Sequence, residues 1–187
     1  MSEPLYPAFL KLRDLPVVVV GGGRVALAKS LELLAAGARV TVIAPDVLPE
    51  LRARVTVNEC SFRPAHLAGA RWVVAAATPD VNRDVAAAAA VRGLFVNAVD
   101  DPANATAYLG GVVRRGDVTI AISTGGVAPA LAGLLREALD ALLPDDLERW
   151  IELATAARRE WKRDRVPIAA RRPLLLRALD RLYPVAP

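Results

Sequence analysis

The chain is poor in the residues that staple a small protein or hold a metal in it. Among its 187 residues there is one cysteine, Cys60, and one histidine, His66. A single cysteine excludes an internal disulfide, and one Cys with one His leaves no zinc-ligand spacing, so no metal set is read from the sequence. Aromatic residues are scarce, with three each of Trp, Tyr and Phe. No apolar run reaches the ~18 residues that a membrane span requires. The first residues, Met1-Ser2-Glu3-Pro4, lack the basic-then-apolar layout of a signal peptide. The expectation is a soluble, cytoplasmic protein with no membrane partner.

What is present is apolar surface and arginine. A hydrophobic content of 54% excludes general disorder, and the length suffices for one full core with roughly 40–80 residues left for a second small unit. Arginine outnumbers lysine by 21 to 3, and the net charge is +4. Residues 1–150 carry 15 basic and 16 acidic residues, whereas residues 151–187 carry 9 basic and 4 acidic, a balance of +5. Such a tail fits nucleic acid, an acidic small molecule or a solvated helical face.

The densest local signal is Val17-Val18-Val19-Val20-Gly21-Gly22-Gly23-Arg24-Val25-Ala26. Four β-branched residues run into a glycine cluster, and an Ala- and Leu-rich segment follows to Ala36. That order reads as a buried parallel strand, a tight turn and a helix whose N-terminus faces the turn. Gly21 supplies the sharp turn, Gly23 lets the backbone approach a pyrophosphate, and Ala26 lets the helix pack close to the strand. Amides at the helix start and the positive end of its dipole suit phosphates. The reading is a dinucleotide site.

Further strands are read at 39–44, 55–62, 72–77 and 94–98. A helix from Asp80 to Arg92 separates the last two, with Asp80 as N-cap and Gly93 as stop. Strands alternating with helices predict an α/β fold, a Rossmann-like parallel sheet with right-handed crossovers. After Pro102 the pattern changes. Segments 107–113 and 118–123 are β-like, and Arg114-Arg115-Gly116-Asp117 between them permits only an antiparallel hairpin. Helices are expected at 129–143, 145–162 and 171–182, with Pro167 and Pro173 punctuating the last stretch. Leu131, Leu134, Leu135, Ala138, Leu139 and Leu142 give the first of these helices one greasy face. A hairpin followed by such a helix is too small to bury itself, so it packs on the sheet or pairs with a second subunit. The expected division is 1–106 for the dinucleotide domain, 107–144 for a dimerisation segment and 145–187 for a helical C-terminal region.

In an open parallel sheet the ligand lies at the carboxyl ends of the strands. Those ends here are Gly21–Val25, Ala44–Asp46, Thr78–Pro79 and Asn97–Asp101. The acid that takes the adenosine ribose normally closes the second strand; Asp46 comes two residues after it, a little late for that role. No arginine follows until Arg52, which favours NAD over NADP. Asp100 and Asp101 read either as proton acceptors or as ordinary Asp-Asp-Pro turn chemistry. Ser123 and Thr124, ahead of Gly125-Gly126, read either as an anion site or as the cap of the next helix. His66 is expected at the surface, and Cys60, inside a candidate strand, is expected to be buried.

Five motifs then occur in order: Val-Val-Gly-Gly-Gly-x-Val-Ala with Lys29, Val-Thr-Val-Ile-Ala-Pro, Ala-Ala-Ala-Thr, Val-Asn-Ala-Val-Asp and Ile-Ser-Thr-Gly-Gly-x-x-Pro-Ala-Leu-Ala. Over residues 5–150 the chain resembles the precorrin-2 dehydrogenases of sirohaem synthesis, a module also found in sirohaem synthase. The resemblance implies oxidation of precorrin-2 to sirohydrochlorin with NAD as hydride acceptor, in a homodimer. It implies Asp100 as the catalytic residue. It implies Arg24, Val25, Pro45 and Asp46 as cofactor contacts, alongside Gly21, Gly22, Gly23 and Thr78. Asn97, Ser123 and Thr124 fall on the substrate side. The implied substrate carries eight carboxylates, so Arg114, Arg115 and Arg136 are expected to meet it. Some members of the family also insert ferrous iron. Two departures from the pattern stand out: Ala28 replaces a basic residue before Lys29, and Ala128 replaces a serine before Pro129. A reading from another class is a dinucleotide-sensing regulatory module whose basic tail contacts nucleic acid or a partner. Asp100 and the Ser123–Gly126 motif favour the enzyme, because a sensor needs no base at the sheet edge.

Overall fold

The structure, a computed structural model, describes residues 4–182. It divides into two compact units between Leu109 and Gly110. The first holds a five-stranded parallel sheet of β1 (Pro16–Val20), β2 (Arg39–Ala44), β3 (Thr56–Glu59), β4 (Trp72–Ala75) and β5 (Val96–Ala98), in the order β3-β2-β1-β4-β5. The register pairs Val18 with Thr41 on one side and with Val73 on the other. The helices are α1 (Arg24–Ala35), the short α2 (Pro49–Arg52) and α3 (Pro79–Ala90), and 3-10 turns lie at Pro64–Leu67 and Pro102–Asn104.

Strand alternation sorts the valines into two layers. Val17 and Val19 point to one face, where they meet Ala26 and Leu33 of α1, Val42 and Leu51. Val18 and Val20 point to the other, against Val85, Ala88 and Ala89 of α3 and Leu67. Residues buried on both faces give β-branched runs rather than alternation, which is why β1 reads as four valines in a row. Val19, Val42, Val73 and Val74 are wholly buried, each contributing about 1.5–3 kcal/mol. Gly37, with φ of 81°, closes α1 as its sequence position predicts.

Several local expectations are corrected. The third strand is four residues long, not eight, so Cys60 falls just past its end and is exposed. The N-cap of α3 is Thr78. Asp80 sits inside the first turn, where its charge suits the helix dipole, and pairs with Arg83 at 3.1 Å. The last helix begins at Ile168, three residues before the expected Arg171, and carries Pro173 inside it.

The second unit contains the antiparallel pair β6 (Gly111–Arg115) and β7 (Val118–Ile122), followed by α4 (Pro129–Leu142), α5 (Leu147–Arg163) and α6 (Ile168–Asp180). The hairpin turns on Gly116 and Asp117 alone, with Gly116 at φ 52°, so Arg114 and Arg115 belong to β6 and not to the turn. Alternation sends their side chains to opposite faces. In α4 only Ala132 is buried. Leu131, Leu134, Leu135 and Leu142 of its greasy face are 49%, 64%, 42% and 78% exposed, so the described residues leave that face largely uncovered.

Candidate functional site

The strand order reverses direction between β1 and β4, and open α/β sheets take their ligands at that point. A cleft of about 340 Å³ opens there, lined by Val25, Ala76, Ala77, Pro79, Asn82, Val99, Asp100 and Asp101. It brings together the start of α1, the loop after β4 and the loop after β5. These segments are far apart in sequence, yet all sit at carboxyl ends of neighbouring strands.

The three glycines after β1 do three different things. Gly21 has φ of 128°, and a Cβ there would collide with the Ala76 carbonyl, so glycine lets β1 run tight against the end of β4. Gly22 faces the other way: a Cβ would overlap the Asp46 carbonyl, and Leu48 N–H donates to the Gly22 carbonyl at 3.0 Å. A Cβ on Gly23 would meet nothing within 4 Å. The first two glycines therefore hold the walls, and the third faces open space. The first backbone bond of α1 runs from Leu27 N–H to the Gly23 carbonyl at 3.0 Å. The amides of Arg24, Val25 and Ala26 precede the ladder and have no acceptor within it. This open cradle beside unladdered amides fits a dinucleotide pyrophosphate. Pro45 and Asp46 lie exposed behind Gly22, after β2. The backbone contact with Gly22 fixes Asp46 beside the loop, a placement that spacing alone makes look two residues late. Thr78 is exposed between the lining residues Ala77 and Pro79.

Asp100 adopts a left-handed conformation, φ 55°, at the mouth of the cleft. For a residue other than glycine this costs roughly 1–2 kcal/mol, least for Asp and Asn. The surrounding loop holds it there. Val99 N–H donates to the Ala75 carbonyl at 2.9 Å, Thr106 N–H to the Val96 carbonyl at 2.9 Å, and Val96 N–H to Thr106 Oγ1 at 2.8 Å. Asp101 and Asp100 are not equivalent. Asn104 Nδ2 donates to Asp101 Oδ2 at 2.8 Å, which makes Asp101 a fastener of the loop, while Asp100 is exposed and lines the cleft.

Other residues singled out from the sequence are placed elsewhere. Asn97 is buried in β5 on the face shared with Val74, and its Nδ2 donates to the Ala107 carbonyl at 3.1 Å. It anchors the connector and does not line the cleft. Ser123 and Thr124 belong to the second unit, where their hydroxyls accept from Gly125 N–H at 3.1 Å and Ala128 N–H at 3.3 Å. They shape the loop; the helix itself has no side-chain cap. Arg115 donates to the carbonyls of Leu143 and Asp140 at 2.9 and 2.8 Å and to the carboxylates of Asp145 and Asp140. That set engages both terminal nitrogens and fastens β6 to the end of α4. Arg136 pairs with Glu137 at 3.0 Å on the surface, and Arg114 is exposed. His66 is half-buried. Its Nδ1 accepts from Arg63 N–H at 3.0 Å, which puts the ring proton on Nε2, 3.7 Å from Cys60 Sγ. Among the described residues no three His, Cys, Asp or Glu side chains group as metal ligands, and no helix is long and apolar enough to cross a membrane.

Sequence reasoning passed over Asn82, which lies in none of the quoted motifs, and gave Ala76, Ala77 and Val99 no role of their own although two motifs contain them. Only the strand order brings all four to the cleft.

Known proteins agree with this architecture. Residues 8–111 match a family described as putative NAD(P)-binding, and residues 115–142 match one described as sirohaem biosynthesis protein central. Siroheme synthase 2 of Aeromonas hydrophila subsp. hydrophila is 43% identical over 176 residues, which is 92% of this chain and 37% of that one. A siroheme synthase of Xylella fastidiosa is 42% identical over 181 residues, 91% of this chain and 37% of that one. The chain thus spans a little over a third of the length of these relatives. The solved structure of SirC, a precorrin-2 dehydrogenase, superposes with a TM-score of 0.69 at 23% identity, covering 92% of this chain and 88% of that one, and it shares the fold. With a family match across more than half its length and siroheme synthases as its relatives, this chain belongs to the putative NAD(P)-binding family.

Proposed function

We propose that this chain oxidises precorrin-2 to sirohydrochlorin, with NAD as the hydride acceptor. The observation that carries the reading is the cleft at the strand reversal, lined by both Asp100 and Val25, two residues past the open Gly23. The likeness to siroheme synthases over nine-tenths of the chain supports the choice of substrate.

The oxidation removes two electrons and two hydrogens from the tetrapyrrole, one as hydride and one as a proton. The nicotinamide cofactor supplies the electron-pair acceptor when bound. The chain supplies the rest. Amides of Arg24 and Val25 would hold the pyrophosphate, with Gly23 leaving it room, and Pro45 and Asp46 would border the adenosine ribose. An acid and no arginine directly after β2 favours NAD over its 2′-phosphorylated form. Asp100 accepts the proton lost from the atom adjacent to the hydride donor. Its loop is fastened by Asp101, and Asp100 itself has no competing ion pair among the described residues.

The exposed leucines of α4 support a second copy as the cover for that face, with β6, β7 and α4 (107–144) as the dimerisation segment and 145–187 as a helical region beside it. Arg114, exposed, and Arg136, half-buried and paired with Glu137, are the arginines of this unit offered to meet substrate carboxylates. The decisive experiment is NADH formation with precorrin-2 supplied, in wild type and in Asp100→Ala. Turnover should fall by roughly 10²–10⁴ in the variant, the range for a lost general base, with NAD affinity unchanged. Wild type that forms no NADH from precorrin-2, or a variant that turns over normally, refutes the assignment.

A further inference from the structure

The cleft contains a polar side chain that neither the fold nor the proposed proton transfer fully employs. Asn82 is 3% exposed and lines the cleft beside Ala77 and Pro79. It is the fourth residue of α3, and its backbone N–H makes the first bond of that helix, to the Thr78 carbonyl at 2.9 Å. Asparagine is a poor choice for a buried helical position, and alanine fills equivalent positions at Ala88 and Ala89. Half of the reason for Asn82 is visible: its Oδ1 accepts from Ala77 N–H at 3.1 Å and so holds the loop after β4 in place. The amide orientation follows, because only the oxygen can accept that bond. The other half, Nδ2, has two hydrogens and no acceptor among the described residues, yet it is not sealed in the core.

A donor in this position matters because of what surrounds it. Val25, Ala76, Ala77, Pro79 and Val99 make an apolar floor suited to a flat ring, and the cleft has room for a nicotinamide riboside but not for a tetrapyrrole. The other polar groups lining it, Asp100 and Asp101, are acceptors. Resting on the reading above, we infer that Asn82 is a binding residue for the nicotinamide half of the dinucleotide. Its Nδ2 donates to an oxygen of that half, while its Oδ1 keeps the loop after β4 in register. One side chain thus couples the shape of the cleft wall to recognition of the ring side of the cofactor.

Asn82→Asp separates the two roles. It keeps an oxygen to accept from Ala77 N–H but removes the donor. Titration calorimetry on the full chain, without substrate, should show NAD affinity falling tenfold or more. ADP, which lacks the nicotinamide riboside, should bind both proteins within about threefold, and the variant should give a cooperative melt, lowered somewhat by a carboxylate at a nearly buried position. Equal NAD affinity overturns the inference, as does an equal loss for NAD and ADP, which would indicate charge acting on the phosphates. If the variant does not fold, wild type suffices: the Asn82 side-chain NH₂ resonances should shift with NAD and not with ADP, and shifts with both or neither overturn the inference. Failure of wild type to bind NAD at all would instead sink the proposed function.

Discussion

Gly22 and Gly23 are adjacent and chemically identical, and the structure predicts opposite consequences for changing them. In Gly22→Ala the new methyl would overlap the Asp46 carbonyl, and no flexible side-chain end is available to yield. The loop after β2 must move as a whole, and the Leu48 N–H bond to the Gly22 carbonyl moves with it. Overpacking of this kind costs about 1–3 kcal/mol, and a backbone obstacle places it at the upper end. For a chain of this length roughly 2–4 °C is lost per kcal/mol, so a fall of about 6–12 °C is expected. In Gly23→Val the side chain enters open space, and the φ of −89° is open to any residue. Stability should shift by about 1 kcal/mol or less, since the weaker helix cap is partly offset by the stiffer unfolded chain. The same side chain fills the room read as the pyrophosphate path, so NAD affinity should fall tenfold or more, about 1.4 kcal/mol. Thermal melts and NAD titrations of the two variants are the assays. A Gly22→Ala protein that melts with wild type, or a folded Gly23→Val protein with unchanged NAD affinity, would refute the division of labour argued here.

Other outcomes follow from single residues. Arg115→Ala should lower stability by about 1–3 kcal/mol, because it strips charged donors from the Asp140 and Leu143 carbonyls; an unchanged melting temperature would mean water replaces it at no cost. Arg114→Ala should leave the fold intact, raise KM for a carboxylate-rich substrate rather than lower kcat, and flatten the dependence of KM on ionic strength; an unchanged KM would make Arg114 plain surface. Ser30 is buried in α1, and its Oγ has no partner among the described residues. Ser30→Ala should therefore leave stability unchanged or raise it by about 1 kcal/mol in denaturant unfolding, and a marked loss would reveal a partner such as an ordered water.

The sequence by itself determined the sheet. Strands buried on both faces must be apolar throughout, so the valine run of β1 and the stretch 39–44 announce themselves, and a glycine cluster between strand and helix has few other uses. It also determined that segment 107–123 turns back as a hairpin, since four residues cannot carry a parallel crossover. It could not determine the strand order, and the order decides the site. Only when β4 lies beside β1 do Ala76 and Gly21 touch, and only then do Asn82, Val99 and Asp100 share one cleft with Val25. Exposure of Cys60 was equally out of reach, because it depends on β3 ending after Glu59 on an edge with no neighbour to extend it. The arginines make the same point. Arg114 and Arg115 read as one basic pair in a turn, but a strand's alternation sends them to opposite faces, one to solvent and one onto the end of α4. Residue types and spacing are local and survive in the sequence, whereas adjacency between distant segments is created by packing and can be read only from the folded chain.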